Sequence, residues 1–284
     1  MIYVILFIYG LALGSFVNAL VFRIHQSIKH AKTRKSKKIK SKNSLWQGDY
    51  GLFGRSMCPH CKHALNPKDL IPLVSWLTLK GRCRYCHKSI NWQYPAVELT
   101  TGLLFVMSYL AWPYGFELAG WVLFVSWLVL LTGLVALTVY DIKWMLLPNK
   151  LVYPLGIFWV VVSIVWVLFQ GNLSDIFSLV LATIVGGGFF WILFQVSDGR
   201  WIGGGDVKLG FLLGLLAGSA LKAAGVIFLS SIIGTITVLP FLLTKRLQVA
   251  NKIPFGPFLI IAGIIMFLWG DLLVQWYSTN ILLI

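Results

Sequence analysis

Apolar stretches long enough to cross a hydrocarbon layer of about 30 Å, which takes roughly 20 helical residues, recur eight times along this chain. They cover residues 2–22, 95–112, 118–140, 151–169, 176–196, 206–221, 223–243 and 255–276, and most are separated by short polar turns. The pattern predicts an all-α polytopic membrane protein of about eight transmembrane helices. Its one long polar interval lies between the first and second spans and has two unlike halves. The run KHAKTRKSKKIKSK at 29–42 has no apolar periodicity and reads as a disordered, solvated segment near lipid headgroups. Residues 55–94, with paired cysteines, Pro59, Pro67, Gly81 and short apolar patches, read as a small compact module. The expected organisation is a first transmembrane helix at 1–23, a cytosolic basic segment with a compact module at 24–94, and a membrane domain at 95–284.

Composition agrees, with 58% hydrophobic residues, nine acidic side chains and a mean hydropathy of +0.82. A soluble globular domain is far less apolar. The first span is followed by its charge, at Arg23, and not preceded by it, so it reads as a retained helix and not a removable signal peptide. Cytoplasmic loops hold the excess of Lys and Arg in membrane proteins. With the N-terminus outside, 23 of the 24 basic residues fall on the cytoplasmic side and only Lys222 falls outside. Eight spans then place the C-terminus outside as well. The net charge of +15 is thereby explained by topology and by anionic lipid as the nearest partner, and does not argue for nucleic acid.

The four cysteines form two pairs, Cys58-Pro-His-Cys61 and Cys83-Arg-Tyr-Cys86. Two such knuckles can bring four thiolates to the corners of a tetrahedron, the arrangement of a structural zinc site. Disulfides compete for the same residues, but a segment facing the reducing cytosol does not retain them. Neighbouring His60, His63 and His87 read as surface side chains, since four cysteines complete the coordination shell.

Acids within the apolar region are costly and are usually functional or paired. Three stand out: Glu98, Asp141 and Asp206. Asp141 closes the third span and Asp206 opens the sixth, so the topology puts both at the cytoplasmic border. Two carboxylates close enough to share a proton can act as acid and base, activating water against a peptide carbonyl. Gly203, Gly204 and Gly205 ahead of Asp206 leave room for an extended substrate backbone, an approach to which Lys208 is also assigned, with a tight turn into the helix as the structural alternative. A helix N-terminus and Lys208 both favour ionised Asp206, which makes Asp141 the expected proton holder. Glu98 is expected to favour the start of the second span or to pair with a loop lysine. A proton-coupled membrane carrier with a structural zinc module is the competing function for the acid pair.

GSFVNALVFR at 14–23, CPHC, DLIPLVSWLTLKG, GRCRYC, YPAVELTTGLLF, ALTVYDIKWMLLPNKL, GGGDVKLG and KIPFGPFLIIAG occur in an order that resembles the prepilin peptidases, and the likeness covers nearly the whole chain. Asp141 with the GGGD at 203–206 resembles GxGD aspartyl peptidases in general, while the cysteine module and the PFGP at 254–257 point to the prepilin branch. The resemblance implies a bacterial inner-membrane aspartic endopeptidase with Asp141 and Asp206 as catalytic residues. Such an enzyme cuts after the glycine that ends the basic leader of a type IV prepilin or pseudopilin. It also implies N-methylation of the new N-terminus with S-adenosylmethionine, an activity linked to the position of Gly81, and Zn2+ at the cysteines. Where that family often carries Asp, this chain has Asn149.

Overall fold

The computed structural model describes residues 1–36, 56–172, 174–244 and 253–280, with backbone alone at residues 30–36. The described residues are helical with no strand beyond two isolated β-bridges. They fall into two compact units, Met1–Leu110 and Ala111–Ile284.

In the first unit α1 (Ile2–Ser36) packs against α3 (Gln93–Leu110), and the interval between them carries a 3-10 turn at Pro67–Leu70 and the short α2 (Val74–Thr78). Between lipid-embedded helices there is no hydrophobic effect to drive association, so close van der Waals contact through small residues takes its place. Gly10 and Gly14 on α1 supply it. A Cβ on Gly10 would sit 2.7 Å from the Gly102 Cα, and one on Gly14 would sit 2.7 Å from the Glu98 Cα. α3 therefore packs with α1, although the sequence groups it with the helices that follow.

The Lys-rich run departs from expectation. Its first part, residues 29–36, continues α1 as helix, because Lys, Arg and Ala are good helix formers and residues 15–36 contain neither Gly nor Pro. Residues 37–42 lie outside the described residues, as do Lys245, Arg246 and Lys252 of the expected 244–252 loop.

The second unit comprises α4 (Leu118–Trp144), α5 (Asn149–Gln170), α6 (Ser174–Val196), α7 (Gly204–Ala217), α8 (Ala220–Leu243) and α9 (Gly256–Asn280). α4 is its centre, with 67% of its apolar window buried against 17% for α8. Trp127, Leu130, Leu131, Leu134, Ala136 and Leu137 of α4 are wholly buried. The Trp127 ring stacks on Phe267 of α9 at 4.3 Å, while Asp141 meets Gly256 at the start of α9. Those two contacts fix α4 and α9 as antiparallel. α6 and α7 are also antiparallel and even closer, since a Cβ on Gly186 would lie 2.7 Å from the Gly214 Cα and one on Gly210 would meet Phe190.

Six helices, α1, α4, α5, α6, α8 and α9, are long and apolar enough to cross a membrane. The other two segments expected to span, now α3 and α7, are helices of 18 and 14 residues. Glu98 and other polar positions interrupt the first, and the second is short.

Gly186→Ala forces the α6 and α7 backbones apart, whereas a Cβ on Gly156 of α5 meets open space. Thermal unfolding in detergent should show Gly186→Ala destabilised by about 1–3 kcal/mol. Gly156→Ala should be neutral or slightly stabilised, by up to about 1 kcal/mol. Equal stability of the two variants would contradict the close packing.

Candidate active site and metal centre

Three helix ends converge on Asp141. α4 stops just beyond it, where Met145 takes a left-handed conformation (φ 50°) and its N–H returns to the Asp141 carbonyl at 2.8 Å. The Asp141 side chain is buried, 5% exposed, yet Oδ2 accepts the backbone N–H of Gly256, the first residue of α9, at 3.1 Å. A Cβ at Gly256 would lie 2.5 Å from that same oxygen, so only glycine lets the backbone come near enough to donate. Pro254 and Pro257 around it mark a chain that turns into a helix. That much is readable in PFGP. The identity of its acceptor, 115 residues earlier, is not.

Asp206 arrives from α7. Gly203 is the N-cap, Gly204 and Gly205 form the start of the first turn, and the Asp206 N–H bonds the Gly203 carbonyl at 3.0 Å. Gly203 lies in the ordinary extended region (φ −75°), and Gly204 and Gly205 also have negative φ. Their value therefore lies in absent side chains and not in left-handed backbone. A Cβ on Gly205 would sit 3.1 Å from that of Leu147, in the link between α4 and α5. This contact seats the start of α7, which carries Asp206, beside the end of α4, which carries Asp141. Gly203 remains exposed, on the side where a Cβ would lie 3.4 Å from Asp206 Oδ2.

The arrangement has its own electrostatic support. Helix N-termini carry partial positive charge, and those of α7 and α9 both face the acid pair. Lys208 is used differently from expectation: its Nζ donates to Asn149 Oδ1 at 2.8 Å and lies 5.4 Å from the Tyr153 ring centre. It ties α7 to α5, so the support foreseen from it for ionised Asp206 is directed elsewhere.

In the other unit the four cysteines come together with all Sγ atoms within 4.8 Å of one another, and none is in a disulfide. A tetrahedral ion with bonds of about 2.3 Å to sulfur separates its ligands by about 3.8 Å. Cys58 and Cys86 Sγ are 3.8 Å apart. Each knuckle is the same tight turn. The Cys58 N–H bonds the His63 carbonyl and the Lys62 N–H returns to Cys58, while the Cys83 N–H bonds the Lys88 carbonyl and the His87 N–H returns to Cys83. Lys62 and His87, each one residue past its CxxC, both have positive φ. Burial opposes ionisation of the Cys58 thiol, but the backbone N–H groups of Cys61 and His60 bring it down to about 7. The backbone N–H of Lys88 favours the Cys86 thiolate, yet burial and the other three thiols push it up to about 11. The cluster thus shares protons among its sulfurs, and metal binding, which requires thiolates, releases them. The donor set fits a tetrahedral, thiolate-loving ion. His63 is not part of it, its ring being stacked on Tyr85 with Nδ1 against the Ala64 carbonyl.

Around this centre, Asp69 clamps the 3-10 turn to the second knuckle through Arg84 Nε at 2.7 Å and the Tyr85 hydroxyl at 3.3 Å. Burial would raise the Asp69 carboxyl, but the Arg84 guanidinium holds it below the usual carboxylate range. Gly81 sits at φ +67°, where a side chain is strained, and a Cβ there would meet the Trp76 indole at 3.1 Å. Its N–H goes to the Trp76 carbonyl and its own carbonyl accepts from Ile90. Gly81 is thus the joint between α2 and the second knuckle, beside an open cleft lined by Leu79, Lys80, Arg82, Cys83, Arg84 and His87.

Glu98 is placed otherwise than expected. α3 begins at Gln93 and has no acid in its first turn. Glu98 lies a turn deeper, 7% exposed, and its Oε2 accepts the Leu73 N–H at 2.8 Å. The sequence signalled that a buried acid is costly but not which backbone group would satisfy it.

Comparison with known proteins agrees with this architecture. The Bacterial Peptidase A24 N-terminal domain matches residues 8–112 and the Type IV leader peptidase family matches residues 128–239. No solved structure matches the chain. Relatives named prepilin leader peptidase/N-methyltransferase include one from Pseudomonas aeruginosa, 35% identical over 274 residues, covering 94% of this chain and 90% of the relative. One from Aeromonas hydrophila is 34% identical and covers 98% and 94%, and one from Bacillus subtilis is 32% identical and covers 96% of each. At this identity over nearly its whole length, the chain belongs to the prepilin leader peptidase/N-methyltransferase family.

Proposed function

We propose that this multi-pass membrane protein is an aspartic endopeptidase that removes the leader of type IV prepilins or pseudopilins and then methylates the new N-terminus from S-adenosylmethionine. The observation that carries the peptidase half is the meeting of Asp141 and Asp206 where three helix ends converge. Neighbouring carboxylates resist double ionisation, so the pair holds one proton. The ionised member takes a proton from water as it attacks the scissile carbonyl, and the protonated member supports the developing oxyanion. A proton then passes to the leaving amine as the C–N bond breaks. Exposed Gly203 leaves an approach for an extended leader backbone. Membership of a peptidase family sets aside the carrier reading of the acid pair.

The acids and the cysteine module face the cytoplasm of a bacterial inner membrane in this reading, with both termini outside. The support is the distribution of charge, 23 of 24 basic residues lying on one side of the expected topology. Zinc is the ion that best suits four cysteines in closed tetrahedral array. It would be held by Cys58, Cys61, Cys83 and Cys86 and would supply structure, stapling the two knuckles around Gly81. The methyl-transfer half is assigned to this unit, with Gly81 setting the path of the backbone beside the cationic cleft.

Cleavage of a leader-bearing prepilin in detergent, followed by mass spectrometry, tests the dyad. Asp141→Asn and Asp206→Asn should each lower the rate by about 10²–10⁴ while the protein stays folded. Undiminished cleavage by both would rule out the aspartic mechanism.

Gly256→Ala addresses the positioning of Asp141, because its Cβ displaces the carboxylate that Gly256 now holds. The expected outcome is a fall in kcat of about 10²-fold with KM nearly unchanged. A larger change in KM than in kcat would place Gly256 in substrate binding instead.

Metal analysis should find close to one zinc per chain, lost in Cys58→Ser/Cys83→Ser. In that variant the +14 Da increment on the product should disappear while leader removal persists. Retained zinc or retained methylation would separate the cysteine cluster from that role.

A further inference from the structure

Among the described residues between α1 and α3, large exposed apolar side chains are Leu70, Ile71, Val74 and Leu77, along the 3-10 turn and α2, and Trp92 just before α3. Val74 and Leu77 follow helical spacing on α2, and Leu77 is 66% exposed. Such a row is costly in water. Its depth says where it lies.

Glu98 is level with Gly14 of α1, as the 2.7 Å approach of its Cα to a Gly14 Cβ position requires. Gly14 is nine residues before Arg23, the first charged residue of α1, which puts it about 13 Å inside that border at 1.5 Å per residue. The Leu73 N–H reaches Glu98 Oε2 at 2.8 Å. A glutamate side chain plus one hydrogen bond spans at most about 8 Å, so the Leu73 backbone lies at least about 5 Å below the level of Arg23.

Backbone at such a depth must have its polar groups satisfied. Ser75, Leu77, Leu79 and Gly81 donate to the carbonyls of Ile71, Leu73, Ser75 and Trp76, and Pro72 has no N–H. The Leu73 N–H, on a residue at φ 58°, ψ −49°, has Glu98 as its acceptor.

We propose that residues 70–78 form a wedge lying in the membrane interface beside α1 and α3, with Leu70, Ile71, Val74 and Leu77 against phospholipid acyl chains. Glu98 is the positioning residue that satisfies the Leu73 N–H at that depth. The wedge fixes the cysteine module and Gly81 at the membrane surface, where the trimmed end of a membrane-embedded substrate helix emerges. Two features of one unit carry the proposal: the exposed apolar row and the depth of its anchor along α1, reckoned from Arg23.

The test is made on the full chain in nanodiscs of phosphatidylethanolamine and phosphatidylglycerol containing a phospholipid with a diazirine near the carbonyl end of one acyl chain. After irradiation, peptide mapping should find lipid adducts on residues 70–77, and hydroxyl-radical footprinting should find the same residues protected. Oxidation of these residues at the rate of water-exposed loops, without adducts, would overturn the proposal. Chemical cross-links from them to residues 111–284 in place of lipid adducts would overturn it equally, by assigning the row to a contact within the chain. Glu98→Gln, which keeps an acceptor, should retain the labelling, and Glu98→Leu should lower it about tenfold. Unchanged labelling in a folded Glu98→Leu protein would remove Glu98 from the anchor.

Discussion

The hydrogen bond from the Gly256 N–H to Asp141 is the constraint on which the second unit turns. It puts a carboxylate in a buried place by giving it the first free N–H of another helix, a group that itself lacks an intrahelical partner. Two unsatisfied groups cancel each other, and the consequence is a fixed register between α4 and α9. The Trp127–Phe267 stack holds that register at the far end. α7 is then seated through Gly205 on Leu147, and Asp206 is carried to Asp141. The acid pair is therefore less a feature of two residues than of three helix ends that cannot be moved separately.

The sequence made the helical class, the four-cysteine cluster and the two acids legible because each is a local signal. Hydrophobic runs, CxxC spacing and an acid at the edge of an apolar stretch are all readable within a few residues. What it left open depends on long-range partners. Lys208 stands two residues from Asp206 in sequence but is drawn to Asn149, 59 residues away. Glu98 reads as an acid near a helix start, yet its partner is a backbone N–H at Leu73 whose need arises only from the local path of the chain. The Lys-rich run shows the opposite failure. Its composition suggested disorder, but helix propagation from an already formed α1 overrode that signal through residue 36.

Glycine has three separate physical uses here. On α1, α6 and α7 it lets helices touch without a hydrophobic driving force. At Gly81 it supplies a left-handed joint under the Trp76 ring, and at Gly256 it removes the one Cβ that would strike Asp141. Sequence pattern alone does not tell Gly256 from the packing glycines, since it too lies among apolar residues, between Phe255 and Pro257.

The shortness of α7 has a mechanical consequence. Fourteen residues make a rod of about 21 Å, against a hydrocarbon thickness of about 30 Å. It therefore does not cross such a layer by itself, and Leu209, Leu212, Leu213 and Leu216 turn its apolar surface to neighbouring helices and away from lipid. A rod about 9 Å shorter than the layer leaves a turn of the chain within the depth that its longer neighbours span, where polar backbone groups take protein or water as partners in place of acyl chains.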